Sequence, residues 1–395
     1  MKIRMAVVFG GKSVEHEISI ISAIQAIQSM DAGKYEITPV YMTKSNEFYV
    51  GDRIGDIEAY KDIKTLLAAS RRVVWIRTDG KVQLVLYPMK KFGSSVVTDV
   101  DIVFPIVHGT NVEDGSLQGF FHTLDVPFVG CEVLASAVGM DKYVMKTVLK
   151  DNGIPVLDCL RFTTSDYADT DSLIKSVENK MSYPVIVKPV NLGSSVGIKK
   201  AHDTASLRDA VDLAFTFSPR ILVEPAISNL REINCSVLGD YSAAEASECE
   251  EPFNTDEILS YEDKYIGGSK GSGTKSSGSK GMASLKRKIP ADLTPEKRSE
   301  IRDMAVRTFQ SLECNGVARI DFMIDKDTDK VYVNEINTIP GSLSFYLWEP
   351  LGMAYKDMLD RCIDLAFKRA REAAQVTYAF DTNVLSGVKL GGCKK

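Results

Sequence analysis

The chain has 395 residues, 44% of them hydrophobic and 26% charged, with a formal net charge of -5 at pH 7. That length predicts two or three domains, and the mild negative charge leaves no electrostatic footprint for nucleic acid or an anionic membrane. No apolar run approaches the roughly 18 residues that span a bilayer. Because the chain passes from Met1-Lys2-Ile3-Arg4 directly into a strand-like segment, a cytoplasmic protein is expected. Its seven scattered cysteines include no CxxC pair, which indicates neither a zinc site nor a disulfide framework.

The first hundred or so residues alternate strand and helix patterns: Met5 to Phe9, a helical stretch from Ser19 to Met30, Tyr35 to Met42, then Val100 to Val107. This alternation predicts an open α/β sheet. Such sheets bind ligands at the carboxyl ends of their strands, and Gly10-Gly11-Lys12-Ser13 follows the first strand at once. Val14-Glu15-His16-Glu17 then opens a helix, where a carboxylate serves either a substrate ammonium or the helix N-terminus. His108 stands just past the apolar strand Ile102 to Val107, on a glycine-punctuated turn that places it for ligand contact. Glu113 and Asp114 read as caps for the next helix.

A second unit begins near Asp141 with a helical stretch to Asn152, and continues through the strand Val185 to Lys188 and a helix from Thr204 to Phe215. Asn191-Leu192-Gly193-Ser194-Ser195-Val196-Gly197 follows Lys188 closely. This loop is either an ordinary turn or a cover for phosphates that Lys188 reaches, with backbone N–H groups and serine hydroxyls as donors. It is not a Walker A loop. A third unit runs from about Arg220, with Arg220 to Glu224 at an edge of the junction, into a helix from Ala354 to Ala373. The Gly/Ser/Lys run between Ile266 and Gly281 cannot bury apolar area. It is either a plain loop or a flap whose lysines approach phosphates.

Ala318 to Ile324 and Val331 to Asn337 read as two strands of an antiparallel hairpin. A turn centred on Thr328 sets Asp321 opposite Glu335 and Arg319 opposite Asn337, all on one face because side chains repeat every second residue. Facing carboxylates repel unless a cation lies between them, and such oxygen ligands suit Mg²⁺ with phosphates completing the octahedron. A surface hairpin with cross-strand ion pairs is the alternative.

These pieces occur in one order that resembles the D-alanine–D-alanine ligases of the ATP-grasp superfamily over residues 3 to 375. The matching blocks are Gly10 to Ser19, His108 to Gly119, Met140-Asp141-Lys142, Lys188 to Gly197, Val223-Glu224, Arg231-Glu232, Tyr261 to Tyr265, Ala318 to Asp321, and Asn334 to Gly341. The resemblance implies an α/β N-terminal domain for the first amino acid (1–139), a central lid domain (140–219) and a C-terminal domain (220–375) before a tail (376–395). It implies ATP between the last two domains, two Mg²⁺ ions or Mn²⁺ in their place, and a homodimer.

By the same resemblance Lys142, Lys188 and Ser195 meet ATP phosphates, Glu224 and the Val223 backbone the adenine, and Glu232 the ribose. Lys264 belongs to a flap over the γ-phosphate. Asp321, Glu335 and Asn337 become metal ligands, and Arg319 stabilises developing negative charge. Glu15 holds the ammonium of the first amino acid in a group with Ser194 and Tyr265, with His108 near its carboxylate. After Gly341 the chain departs from the family: Tyr346 falls where a serine is expected to bind the second amino acid. Relative to the family's usual spacing, one additional residue lies between Glu224 and Glu232. The implied activity is ATP-dependent ligation of two D-alanines for peptidoglycan. The alternatives are a different acceptor such as D-serine, which the change at Tyr346 allows, or a non-catalytic nucleotide-binding homologue.

Overall fold

The computed structural model describes residues 2–193, 195–252, 287–380, 382–383 and 386. Ser194, Lys264, Tyr265 and the Gly/Ser/Lys run lie outside the described residues. Three sheets organise the rest.

The first sheet contains β1 (Ile3–Gly10), β2 (Tyr35–Met42), β3 (Phe48–Val50), β4 (Arg71–Thr78), β5 (Lys81–Leu86), β6 (Val96–Val100) and β7 (Ile102–Pro105), in the order β6-β5-β4-β3-β2-β1-β7. Parallel β2, β1 and β7 form one end of it. Met5 to Phe9 are buried on both faces, as a continuous apolar run in a parallel strand requires. Sequence periodicity alone did not bring out the antiparallel extension β3 to β6, although its tightest turn has a clear mark. Asp79 and Gly80, between β4 and β5, both have positive φ (49° and 74°), the Asp-Gly signature of a two-residue hairpin. The expected strand Val100 to Val107 is interrupted at Asp101, which accepts from the backbone and guanidinium of Arg4. The first helix spans His16–Ser29 and so starts three residues before the expected Ser19.

The second sheet comprises β8 (Leu160–Thr163), β9 (Val185–Pro189), β10 (Lys199–Ala201) and β11 (Arg220–Pro225), in the order β10-β9-β11-β8. The segment expected at the edge of the third unit, Arg220 to Glu224, therefore lies inside this sheet, paired with β9 and β8. The third sheet has β12 (Leu230–Gly239), β13 (Ala244–Pro252), β14 (Arg287–Lys288), β15 (Gly316–Asp325) and β16 (Lys330–Asn337), ordered β14-β13-β12-β15-β16.

One face of the third sheet packs Ile233, Cys235, Ala318, Ile320, Phe322 and Val333 against helix Pro295–Ser311 and helix Lys142–Asp151. Alternation turns the intervening polar residues to the other face. The terminal helix Tyr355–Ala373 returns to the first core through Met358, Leu359 and Ile363. Its Asp360 accepts from Lys34 Nζ (2.6 Å) and Tyr35 Oη (2.7 Å), fastening the two ends of the chain together.

Candidate active site

The polar face of the third sheet is a row across four strands. Glu250 on β13 is opposite Asn234 on β12, Asn234 is opposite Asp321 on β15, and Asp321 is opposite Glu335 on β16. The pairing expected for Arg319 with Asn337 and Asp321 with Glu335 is present, but the register shifts immediately beyond it. Asn334 is the extra residue of a bulge, since Phe322 pairs with Val333 while Asp321 pairs with Glu335. On the turn side of the bulge the odd residues Val331 and Val333 enter the core. On the other side Ile336 enters it, which turns Glu335 and Asn337 to the polar face. A bulge that re-aims side chains beside a site is a recurring device of sheets.

Arg319 holds Asp321 through two parallel bonds, Nε to Oδ1 and Nη2 to Oδ2, both 2.7 Å. Asn337 Nδ2 donates to Asp321 Oδ2 at 3.1 Å. Burial, with help from the Glu335 and Glu250 carboxylates, nonetheless pushes the Asp321 carboxyl above its ordinary range against the pull of Arg319. The face thus has an excess of acid. Among the described residues no three His, Cys, Asp or Glu side chains gather as a metal centre by themselves. Two carboxylates and an amide are nevertheless the incomplete oxygen set that suits Mg²⁺ when phosphates supply further ligands.

Cations face this row from the neighbouring elements. Asp141 Oδ1 caps helix Lys142–Asp151 by accepting from Tyr143 N and Val144 N, each at 3.1 Å. The cap starts the helix so that Lys142 Nζ reaches Glu335 Oε2 at 3.0 Å and donates to Leu192 O at 2.8 Å. Lys188 Nζ, from β9, lies 2.5 Å from Glu224 Oε1 and donates to Asn334 Oδ1 at 3.2 Å. Burial alone would raise the Glu224 carboxyl, yet Lys188 and Lys146 hold it down at about 2. Lys146, one turn after Lys142, was not singled out by the sequence reading, although its i, i+4 spacing places it on the same helix face.

Glu15 immediately precedes helix His16–Ser29 and makes no side-chain cap hydrogen bond there. Its carboxylate lies between two glycine loops. A Cβ at Gly109, where φ is +85°, would fall 2.8 Å from Glu15 Oε2, and one at Gly193 would fall 3.1 Å from the same atom. Only glycine permits such an approach from both sides. Glu15, Gly193, Lys142, Glu335 and Asn337 line one small cavity together with Glu113. A larger cavity of about 520 Å³ beside helix Pro295–Ser311 shares no residue with it.

His108 is buried, with Nδ1 2.8 Å from Ile339 O and Nε2 2.9 Å from Ser22 Oγ. Burial lowers it to about 4, so the imidazole is neutral. Glu113, expected to cap a helix, instead accepts from Gly109 N at 2.9 Å and from Ile339 N at 2.8 Å. Burial is the main reason its carboxyl is raised to about 7, with the nearby Glu15 adding to the rise. Asp114 does serve the helix end, accepting from Ser116 N at 3.1 Å.

Past Ile339 the chain makes a left-handed turn: Ser342, Leu343 and Ser344 have φ of 51°, 50° and 52°. Three such residues in succession cost roughly 1–2 kcal/mol each. Part of the compensation comes from the first helix, where Ser22 Oγ accepts from Ser342 N at 3.0 Å and Gln25 Oε1 from Ser342 Oγ at 2.8 Å. Gly341 opens this turn. Tyr346 is buried near its end, its hydroxyl 3.4 Å from Glu250 Oε1 and its ring 4.1 Å below the Arg287 guanidinium. Arg287 Nη1 also donates to Glu250 Oε2 at 2.8 Å. Glu250, Asn234 and Arg287 were missed by sequence reasoning; the alternation Glu232, Asn234, Ser236 on β12 is a signal for Asn234 alone.

The remaining expected positions divide in two. Glu232 shares the polar face with Asn234 and Asp321, whereas Val223 is wholly buried between Val187 and Leu160 of adjacent strands. Ser195 follows β9 with a positive φ of 61°.

Known proteins resemble this chain over nearly its whole length. Residues 4–131 match the family model described as D-ala D-ala ligase N-terminus, and residues 148–364 the one described as D-ala D-ala ligase C-terminus. A D-alanine–D-alanine ligase of Thermosipho melanesiensis is 37% identical over 98% of this chain and 99% of the relative. One from Caldicellulosiruptor bescii is 41% identical over 96% and 99%. Among solved structures, the D-alanine-D-alanine ligase from Coxiella burnetii superposes with a TM-score of 0.77 at 31% identity, covering 95% of this chain and 96% of that one. The VanG D-Ala:D-Ser ligase from Enterococcus faecalis gives 0.76 at 29% identity, covering 93% and 100%. The mixed α/β fold expected from the sequence is therefore the one these proteins share, and its three sheets are consistent with the three expected domains.

Proposed function

Because the chain belongs to the D-alanine–D-alanine ligase family, we propose that it joins two D-alanines to D-alanyl-D-alanine in an ATP-dependent reaction, through an acyl phosphate, for peptidoglycan precursor synthesis. The observation that supports this is the single face on which Asp321, Glu335, Asn337 and Arg319 meet Lys142 and Lys188, with Glu15 at the edge of the same cavity. The substrates are small molecules. Among the described residues no helix is long and apolar enough to cross a membrane.

A carboxylate is a poor electrophile, so the γ-phosphoryl group must first be transferred to the carboxylate of the first D-alanine. Glu15 holds the ammonium of that amino acid, with Ser194 and Tyr265 as its partners, and neutral His108 keeps the wall near its carboxylate in place. Lys142, Lys188 and Ser195 bind the phosphates, Lys264 covers them, Glu224 and the Val223 backbone bind the base, and Glu232 the ribose. Arg319 offsets charge on the transferring group and on the tetrahedral oxyanion that forms when the second amine attacks.

Asp321, Glu335 and Asn337 would hold Mg²⁺, as two ions, or Mn²⁺. A metal held there would supply charge neutralisation at the phosphate oxygens. The second amino acid meets the turn from Gly341 to Tyr346. Water has to be kept from the acyl phosphate, and the Gly/Ser/Lys segment is the proposed cover. We place the protein in the cytoplasm, as a homodimer, on the family's behaviour.

The test is to incubate the protein with ATP, Mg²⁺ and D-alanine, alone and paired with D-serine or other amines, and to identify products by mass spectrometry. D-alanyl-D-alanine as the main product supports the proposal. Turnover only with another acceptor would move the reading to the second pocket, and no turnover with any amine would reject it.

A further inference from the structure

Two buried ammonium groups share one buried carboxylate. Glu224 is 2% exposed, Lys146 3% and Lys188 4%. Lys188 and Glu224 are diagonal neighbours across β9 and β11, since Lys188 is opposite Leu222. Glu224 gives Oε1 to Lys188 and Oε2 to Lys146. Three elements thus meet at one carboxylate, and the group carries one positive charge more than it can neutralise. A buried excess charge is unfavourable unless a counter-ion completes it, and a polyphosphate is the anion this site is proposed to take.

The two lysines are tethered differently. Lys146 Nζ also donates to Leu157 O at 3.4 Å, a backbone atom, and its helix is pinned by the Asp141 cap. Lys188 stands near the end of its strand, just before the glycine loop, and its other partner is the side chain of Asn334. Of the two, Lys188 is the one able to change partners. If it left a Glu224 that had no second cation, the carboxylate would be stranded in the interior.

We propose that Lys146 is a positioning residue: it keeps Glu224 ionised and oriented when Lys188 moves to the nucleotide phosphates. The oxygen that Lys188 vacates then accepts a hydrogen bond from an exocyclic amino group of the base, and it repels a carbonyl oxygen at the same place. Lys146 thereby governs the preference for an amino-bearing purine such as adenine. This inference rests on the nucleotide role proposed above for Lys188 and Glu224.

The experiment measures equilibrium binding of ATP and of inosine triphosphate, which carries a carbonyl at that position, to the full chain and to Lys146→Met. The steady-state KM for ATP and kcat are measured alongside. Lys146→Gln, which retains a donor, is read in the same way in case methionine unfolds the protein, and Lys146→Arg restores the charge. The neutral variants are expected to lose about tenfold in the ATP-to-inosine triphosphate affinity ratio and to raise KM for ATP similarly, the effect of one charge-assisted hydrogen bond. kcat should change much less, and Lys146→Arg should recover most of the ratio. A wild-type preference that both neutral variants keep would overturn the role of Lys146 alone. A wild-type protein that binds both nucleotides equally would overturn the placement of Glu224 at the base, and this role with it.

Discussion

Asp321 and Glu335 face each other across β15 and β16, and the bulge at Asn334 follows at once. Without the bulge, the parity that sends Val331 and Val333 into the core would send Glu335 and Asn337 there too. The acid pair is thus a product of a one-residue irregularity, and its nearest cations, Arg319 and Lys142, come from the same strand and from a helix of another unit.

Replacing either acid tests the chemistry assigned to the pair. Asp321→Asn and Glu335→Gln are expected to lower kcat by about 10²–10³-fold, the range seen when one transition-state charge contact is removed. Thermal unfolding should shift little, because removing one of two repelling carboxylates offsets the lost ion pair. Wild-type turnover in either variant would take that residue out of the metal site.

Deleting Asn334 removes the bulge and leaves the strand in plain alternation: Val331, Val333 and Ile336 still enter the core, and Glu335 and Asn337 still face the polar side. The urea midpoint should therefore change little, whereas KM for ATP should rise because the Asn334 acceptor of Lys188 is lost. A large fall in the urea midpoint would show that the strand needs the bulge to keep its register.

Ser22 links the first helix to both His108 Nε2 and Ser342 N. Ser22→Ala leaves two buried groups without their partner and should cost about 1–3 kcal/mol. It also releases the left-handed turn, so KM for the acceptor amino acid should rise more than KM for ATP. Equal changes in the two KM values would separate this turn from acceptor binding.

Two buried groups give stability opposite pH dependences. His108 is lowered from 6.5 to about 4, so its contribution is present above pH 6.5 and is lost as pH falls through 4. Glu113 is raised from 4.5 to about 7, so its contribution is present below pH 4.5 and is lost as pH rises through 7. Denaturant midpoints of His108→Gln should therefore lack the acid-side loss of the wild type between pH 6.5 and 4, and those of Glu113→Gln should lack the loss between 4.5 and 7. Parallel profiles for wild type and variants would contradict the burial argument.

Much of this site was legible in the sequence because alternation is a local property. Arg319 and Asp321 on β15 could be assigned a shared face from spacing alone, and Gly10-Gly11-Lys12-Ser13 marked the carboxyl end of β1, just before Glu15, as a place for a ligand. The bulge was not legible: a turn centred on Thr328 gave the right partners for Asp321 and Arg319, but the wrong partners for Phe322 to Asp325. Glu113 was misread for a related reason. Its acidic place before a helix suggested a cap, whereas its partner Ile339 lies 226 residues away, a distance no local pattern reports. Glu250 was hidden in the acidic segment of β13, and its part in the row became visible only through pairing with Asn234.

The most direct measurement of the central claim follows oxygen. D-alanine labelled with ¹⁸O in its carboxylate is turned over with ATP and Mg²⁺, and the released phosphate is analysed by mass spectrometry. Formation of an acyl phosphate predicts that one labelled oxygen passes to each phosphate as the dipeptide forms. Dipeptide formed with unlabelled phosphate would contradict the account, because the carboxylate would then not have received the phosphoryl group.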